Sequence, residues 1–132
     1  MSNQSSLDEI FEFSERKSEE FAAKATMLSD ALEQTVLVFC QLPGKVEASV
    51  EIPGGTLQFG KISGDWTVFV EERQGPAFKR TPVVSCNIET KAQAAKLMHV
   101  LMNRVLERQL QKVSDIEQGL EALANFTRKE GK

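Results

Sequence analysis

Residues 45–62 read KVEASVEIPGGTLQFGKI. Val46, Ala48, Val50 and Ile52 alternate with Glu47, Ser49 and Glu51. That period of two marks a strand with one buried face. Pro53-Gly54-Gly55 then punctuates the chain as a turn, and TLQFGKI resumes as a second strand. Ser63-Gly64-Asp65 is a second turn, leading into a third strand from Asp65 to Arg73. A looser loop, QGPAFKRT, is expected to lead to a fourth strand in PVVSCNI. Such short connections imply an antiparallel meander over about residues 45–88.

On both sides of this block the period changes. Upstream, Leu7, Phe11, Phe21, Ala25, Leu28, Leu32 and Phe39 fall near one helical face, with a polar gap from Ser14 to Ser18. Neither Gly nor Pro occurs before Pro43-Gly44. One helix over about residues 7–41 follows, opened by a capping box at Ser6 to Glu9 and open to a break near Lys17. The β-branched run TVLVFC also suits a strand, but its spacing and the Pro-Gly stop favour helix. Downstream, Thr90-Lys91-Ala92-Gln93 reads as a capping box, and Ala94, Leu97, Met98, Leu101 and Val105 make a helical stripe. A second helix start at Ser114, carrying Ile116, Leu120 and Leu123, is as compatible with the pattern as one continuous helix. The helical region covers about residues 91–126, with 128–132 expected to fray. The fold class is α+β: a long N-terminal helix, a four-stranded antiparallel meander sheet, and one or two C-terminal helices, in a single domain.

A helix of about thirty-four residues is roughly 50 Å long, and a seven-residue strand only about 23 Å. The sheet therefore cannot cover the helices. The apolar arc of the C-terminal helix is also wider than the stripe of about 100° that one core requires. Leu97, Met98, Met102, Leu106 and Leu110 are the candidate dimer-interface residues. Residues 1–43 hold eight acids and three bases, and residues 91–132 five acids and eight bases. Opposite signs on the two helical regions favour their association.

The chain of 132 residues carries a net charge of -3. That balance disfavours general binding to nucleic acid or anionic membrane. The N-terminal residues have neither a basic nor an apolar signal region, and no eighteen-residue apolar run occurs, so a cytoplasmic location is expected. Cys40 and Cys86 each lie in an apolar run without CxxC spacing and read as reduced, buried thiols. His99 falls on the second apolar flank of its helix, with Ala95 and Asn103 at the neighbouring helical positions instead of acids. No metal site, cofactor or catalytic constellation is expected. Glycine motifs for phosphate binding are absent, and Glu71-Glu72 point to opposite faces of a strand.

One candidate ligand or partner site remains: Arg73, Phe78, Lys79 and Arg80, an aromatic among cations on the expected loop. Three functions are compatible with these residues. The leading one is a non-enzymatic protein-interaction module, such as a small adaptor, chaperone or regulatory subunit, acting as a homodimer. The alternatives are a nucleic-acid-binding module using the 73–80 loop, and a small enzyme with its site at a dimer seam near His99.

Overall fold

A computed structural model describes the backbone of residues 2–130 and the side chains of residues 6–130. The fold is α+β, in the order α1 (Ser2–Cys40), β1 (Ala48–Ile52), β2 (Gly55–Ile62), β3 (Asp65–Gln74), β4 (Ala77–Pro82), a 3-10 turn (Val83–Ser85) and α2 (Ile88–Glu130). The four strands form one antiparallel meander in sequential order.

Each hairpin turn has two residues, and its backbone sign explains the residues there. Gly54 follows Pro53 with φ +83°, Ser63 and Gly64 are both positive at 52° and 89°, and Gly75 is at 59° before Pro76. The last arrangement corrects the looser loop expected from the sequence. A glycine with positive φ followed by proline with its fixed negative φ matches the two central positions of a type II′ turn. Arg73 thus pairs with Phe78, and Gln74 with Ala77. The fourth strand is consequently 77–82 and not 82–88. Val83 is wholly buried in the 3-10 turn that follows.

Both helices run without interruption, so neither the break near Lys17 nor the one near Ser114 exists. Lys17 and Lys24 bracket Glu20 at 3.5 and 3.1 Å, one turn either side, across the polar gap of α1. The hydrogen bond from Lys24, then the charge of Lys24 and the hydrogen bond from Lys17, hold the Glu20 carboxyl below its usual range. Ser6 lies inside α1 rather than at its cap. Asn87, three residues before the expected Thr90, caps α2: its Oδ1 accepts from the Thr90 amide at 2.8 Å. Arg128 to Glu130 are helical, where a frayed tail was expected; Gly131 and Lys132 lie outside the described residues.

Register places Ala48, Val50, Leu57, Phe59, Val68 and Val70 on one face of the sheet. All six are buried, under Leu32, Val36 and Phe39 of α1 and Ala94, Met98, Leu101 and Val105 of α2. The Phe59 ring lies 5.3 Å from that of Phe39 and 5.1 Å from that of Trp66, whose indole is partly buried at the core edge.

The two helices lie parallel. Lys91 Nζ donates to Ser29 Oγ at 2.9 Å. Further along, Gln109 Nε2 donates to the carbonyls of Pro43 and Gly44 at 3.1 and 3.0 Å, just beyond the end of α1. Residue numbers rise together along both helices, so α1 leaves the core at the Ser29 end and α2 at the Gln109 end.

Candidate functional site

The cluster Arg73, Phe78, Lys79, Arg80 sits on the β3–β4 hairpin, and strand geometry divides it. Pairing of Arg73 with Phe78 and of Glu71 with Arg80 puts these four on the face away from the helices. Lys79 pairs with Glu72 and belongs to the opposite face. Arg80 is already engaged: its Nε lies 3.5 Å from Glu71 Oε2, and its guanidinium 5.6 Å from the Phe69 ring centroid. Gln58 Nε2 donates to the same Glu71 oxygen at 2.7 Å, and Arg73 Nε donates to the Gly75 carbonyl at 3.3 Å. Phe78 is 63% exposed. The adjoining depression, about 390 Å³, is lined by Glu51 and Glu71 as well as Arg73, so its charge is mixed. Such a surface offers no concentrated positive field for phosphates.

Phe69 is the residue that the sequence pattern leaves unexplained. No helix covers its face, yet it is 2% exposed. Its ring lies against Gly60, where an added Cβ would stand 3.4 Å from Phe69 Cε1, and under the Arg80 guanidinium. Glycine on the paired strand makes room for the ring, and a cation roofs it.

The thiols do not converge. Cys40 Sγ donates to the Trp66 carbonyl at 3.3 Å, at the start of β3. Cys86 Sγ lies 3.6 Å from the Pro82 carbonyl, near Glu72 at the other end of β3. Pro82 pairs with Phe69, three residues of strand or about 10 Å from Trp66, and it lies on the neighbouring strand, so the two thiols occupy different places on the sheet. Both thiols are free and half-buried, less enclosed than expected. Burial pushes the Cys86 thiol up, and the Glu72 carboxylate adds to it. His99 is exposed on α2. Among the described residues no three His, Cys, Asp or Glu side chains gather as a metal site, and no helix is long and apolar enough to cross a membrane.

The largest unsatisfied feature is apolar. The core ends at Leu28 on α1 and at Val105 on α2. Beyond it, residues 2–27 run about 39 Å from one end of the sheet and residues 106–130 about 38 Å from the other. Of seventeen exposed large hydrophobic side chains among the described residues, thirteen lie on these two overhangs. Leu7, Phe11 and Phe21 fall on the same face of α1 as Leu28, Leu32 and Phe39, all six within an arc of about 100°. On α2, Leu106, Val113 and Leu120 lie on average about 100° round the helix from the buried Leu101 and Val105. At the root of the α2 overhang a groove of about 440 Å³ opens between Pro43 to Val46 and Gln109, Val113 and Ile116.

The five interface candidates fare differently. Met98 is 6% exposed and is taken up by the protein's own core. Leu97 and Met102 are half-buried against that core. Leu106 and Leu110 are exposed, at 41% and 70%. The longer series from Val113 to Phe126, and Leu7 to Met27 on α1, were not among the candidates. Their stripes were legible, but only the positions of the helices on the sheet reveal which parts lie beyond it. Compared with known protein families, curated proteins and solved structures, the chain matches none of them.

Proposed function

We propose that this protein is a non-enzymatic interaction module that works as a homodimer, with its overhanging helices as the association surface. One observation carries the reading: the apolar stripes of α1 and α2 run past opposite ends of the sheet. Each of the thirteen side chains leaves on the order of 100 Å² of surface to water, about 1,300 Å² together. Six of them lie on the α1 overhang and seven on the α2 overhang, so each overhang exposes on the order of 600 Å², at the upper end of the apolar patches found on monomeric proteins, and a stable interface buries about 800 Å² per partner. A second copy supplies an equal and self-complementary area. The role would be that of a small adaptor, chaperone or regulatory subunit, with the dimer presenting a further protein-binding surface. Two unpaired thiols suit a reducing compartment such as the cytoplasm. The divided, partly neutralised cluster around Arg80 weighs against the nucleic-acid alternative.

Light scattering coupled to size exclusion tests the reading. At micromolar concentration the mass should be twice the 14.7 kDa of one chain. The variant Leu120→Glu should reduce it to one chain while leaving the circular dichroism unchanged, because Leu120 is 62% exposed in the single chain. A monomer mass for the unmodified protein up to high micromolar concentration would refute the proposal.

A further inference from the structure

We infer that the two copies pair crosswise: the α1 overhang of each lies antiparallel along the α2 overhang of its partner, about one two-fold axis. This rests on the homodimer reading above and specifies its geometry.

Three features of the single chain lead to it. The first is direction. Since α1 and α2 are parallel and leave the core at opposite ends, one chain cannot lay its own overhangs together. A two-fold axis perpendicular to the helices and passing near the core reverses the partner. The partner's α1 overhang then falls beside the α2 overhang, running the opposite way, and the reciprocal pair forms at the other end. The second feature is length. Residues 2–27 and 106–130 differ by a single position, so each overhang covers the other from root to tip. Matched end to end, Ile10 lies opposite Leu123 and Phe13 opposite Leu120, all four about three-fifths exposed in the single chain.

The third feature is closure and charge. Pairing α1 with α1 covers one end only and leaves the other stripe bare, so assembly would continue as an open chain of copies. Crosswise pairing covers both stripes in one closed dimer. The α1 overhang holds six acids and three bases, and the α2 overhang five acids and four bases. Setting α1 against α1 would place the two more acidic segments together. The crosswise arrangement sets each against the nearly neutral one, and brings Arg16 opposite Glu117. The basic surplus expected of the C-terminal region as a whole comes from Lys91, Lys96 and Arg104, which lie on the core-packed part of α2. Charge therefore selects between pairings here and supplies little of the attraction.

Disulfide trapping tests the geometry. In a Cys40→Ala, Cys86→Ser background, the double variant Ile10→Cys with Leu123→Cys should convert to covalent dimer on mild oxidation, while either alone should not. Ser14→Cys alone sits at the middle of the α1 overhang and would be trapped by α1–α1 pairing; Gln118→Cys does the same for α2. Trapping of Ser14→Cys alone or Gln118→Cys alone, or of no variant at all, in a protein that light scattering shows to be dimeric, overturns crosswise pairing and leaves the homodimer standing. A monomeric unmodified protein removes both. If the cysteine-free background does not fold, a charge exchange on the natural chain serves instead. Ile10→Lys and Leu123→Glu should each weaken dimerisation at least about tenfold, and together recover most of it. Additive losses in the double variant would overturn the pairing.

Discussion

Lys91 Nζ and Ser29 Oγ meet at 2.9 Å although sixty-two residues separate them in the chain. This hydrogen bond marks where α1 enters the core and where α2 begins, and with the Gln109 contacts it sets the two helices parallel over the sheet. Lys91→Ala should cost about 1 kcal/mol in urea unfolding, the usual worth of such a bond. Lys91→Met, which keeps the alkyl stem, should lose a similar amount if the hydrogen bond and not the packing is what matters.

The β4 cations should separate under substitution. Arg80 roofs Phe69 and faces the Glu71 carboxylate, whereas Lys79 stands on the other face without a comparable ring. Arg80→Ala should destabilise by about 1 kcal/mol, chiefly by uncovering the ring. Lys79→Ala should stay within about 0.5 kcal/mol. Parallel denaturant titrations of the two variants measure the difference, and equal effects would contradict it.

Glycines 55 and 60 make a sharper pair. A Cβ at Gly55 would overlap the Glu71 carbonyl oxygen on the paired strand, which is backbone and cannot step aside. At Gly60 the nearest atom is Phe69 Cε1 at 3.4 Å, the edge of a ring that can shift. Gly55→Ala should therefore cost about 2–3 kcal/mol or more, and Gly60→Ala less than about 1 kcal/mol. Melting temperatures of the two variants give the comparison directly.

Stability should depend on alkaline pH through Cys86. Burial, then the charge of Glu72, raises its thiol above the ordinary range. The folded state thus holds the proton more tightly than the unfolded state. The stabilisation is fully present below the ordinary thiol range and is lost as pH rises through the raised value. In the same range native Cys86 should react with iodoacetamide more slowly than in urea. Glu72→Gln should speed the native reaction.

Phe59 and Trp66 test the core and its margin. Phe59, 1% exposed and against both Phe39 and Trp66, should cost about 3–5 kcal/mol when cut to alanine. Trp66 is only partly buried, with Lys61 Nζ 5.5 Å over its ring, so its truncation should cost about 2 kcal/mol. Fluorescence reads Trp66 alone, there being one Trp and no Tyr. Its emission should lie between buried and exposed values and be partly quenched by iodide.

Local chemistry was enough for much of the architecture. The alternation from Val46 to Ile52, the turn at Pro53-Gly54 and the helical spacing from Leu7 to Phe39 each rest on interactions within a few residues, so the sequence of elements was legible. The position of β4 was not. Ala77 to Pro82 carries no alternating apolar pattern because it is an edge strand whose residues 77–80 are all exposed, and the apolar run after it is drawn into the core as a 3-10 turn. The division of the cation cluster was hidden for the same reason: the engagement of Arg80 depends on Glu71 and Phe69 across the ladder.

The sequence by itself determined that a long N-terminal helical region and one or two C-terminal helices would flank a meander, and that their apolar surface exceeds what a small sheet can hide. Period, breakers and length settle those matters. Only the tertiary structure decided which stretches are left over. Met98 and Ile116, five full turns apart, share one face of α2, yet one is buried in the core and the other stands clear of it. The difference comes from where long-range contacts such as Lys91 with Ser29 and Gln109 with Pro43 slide each helix along the sheet. A sliding position involves partners dozens of residues apart, and no pattern within one helix encodes it.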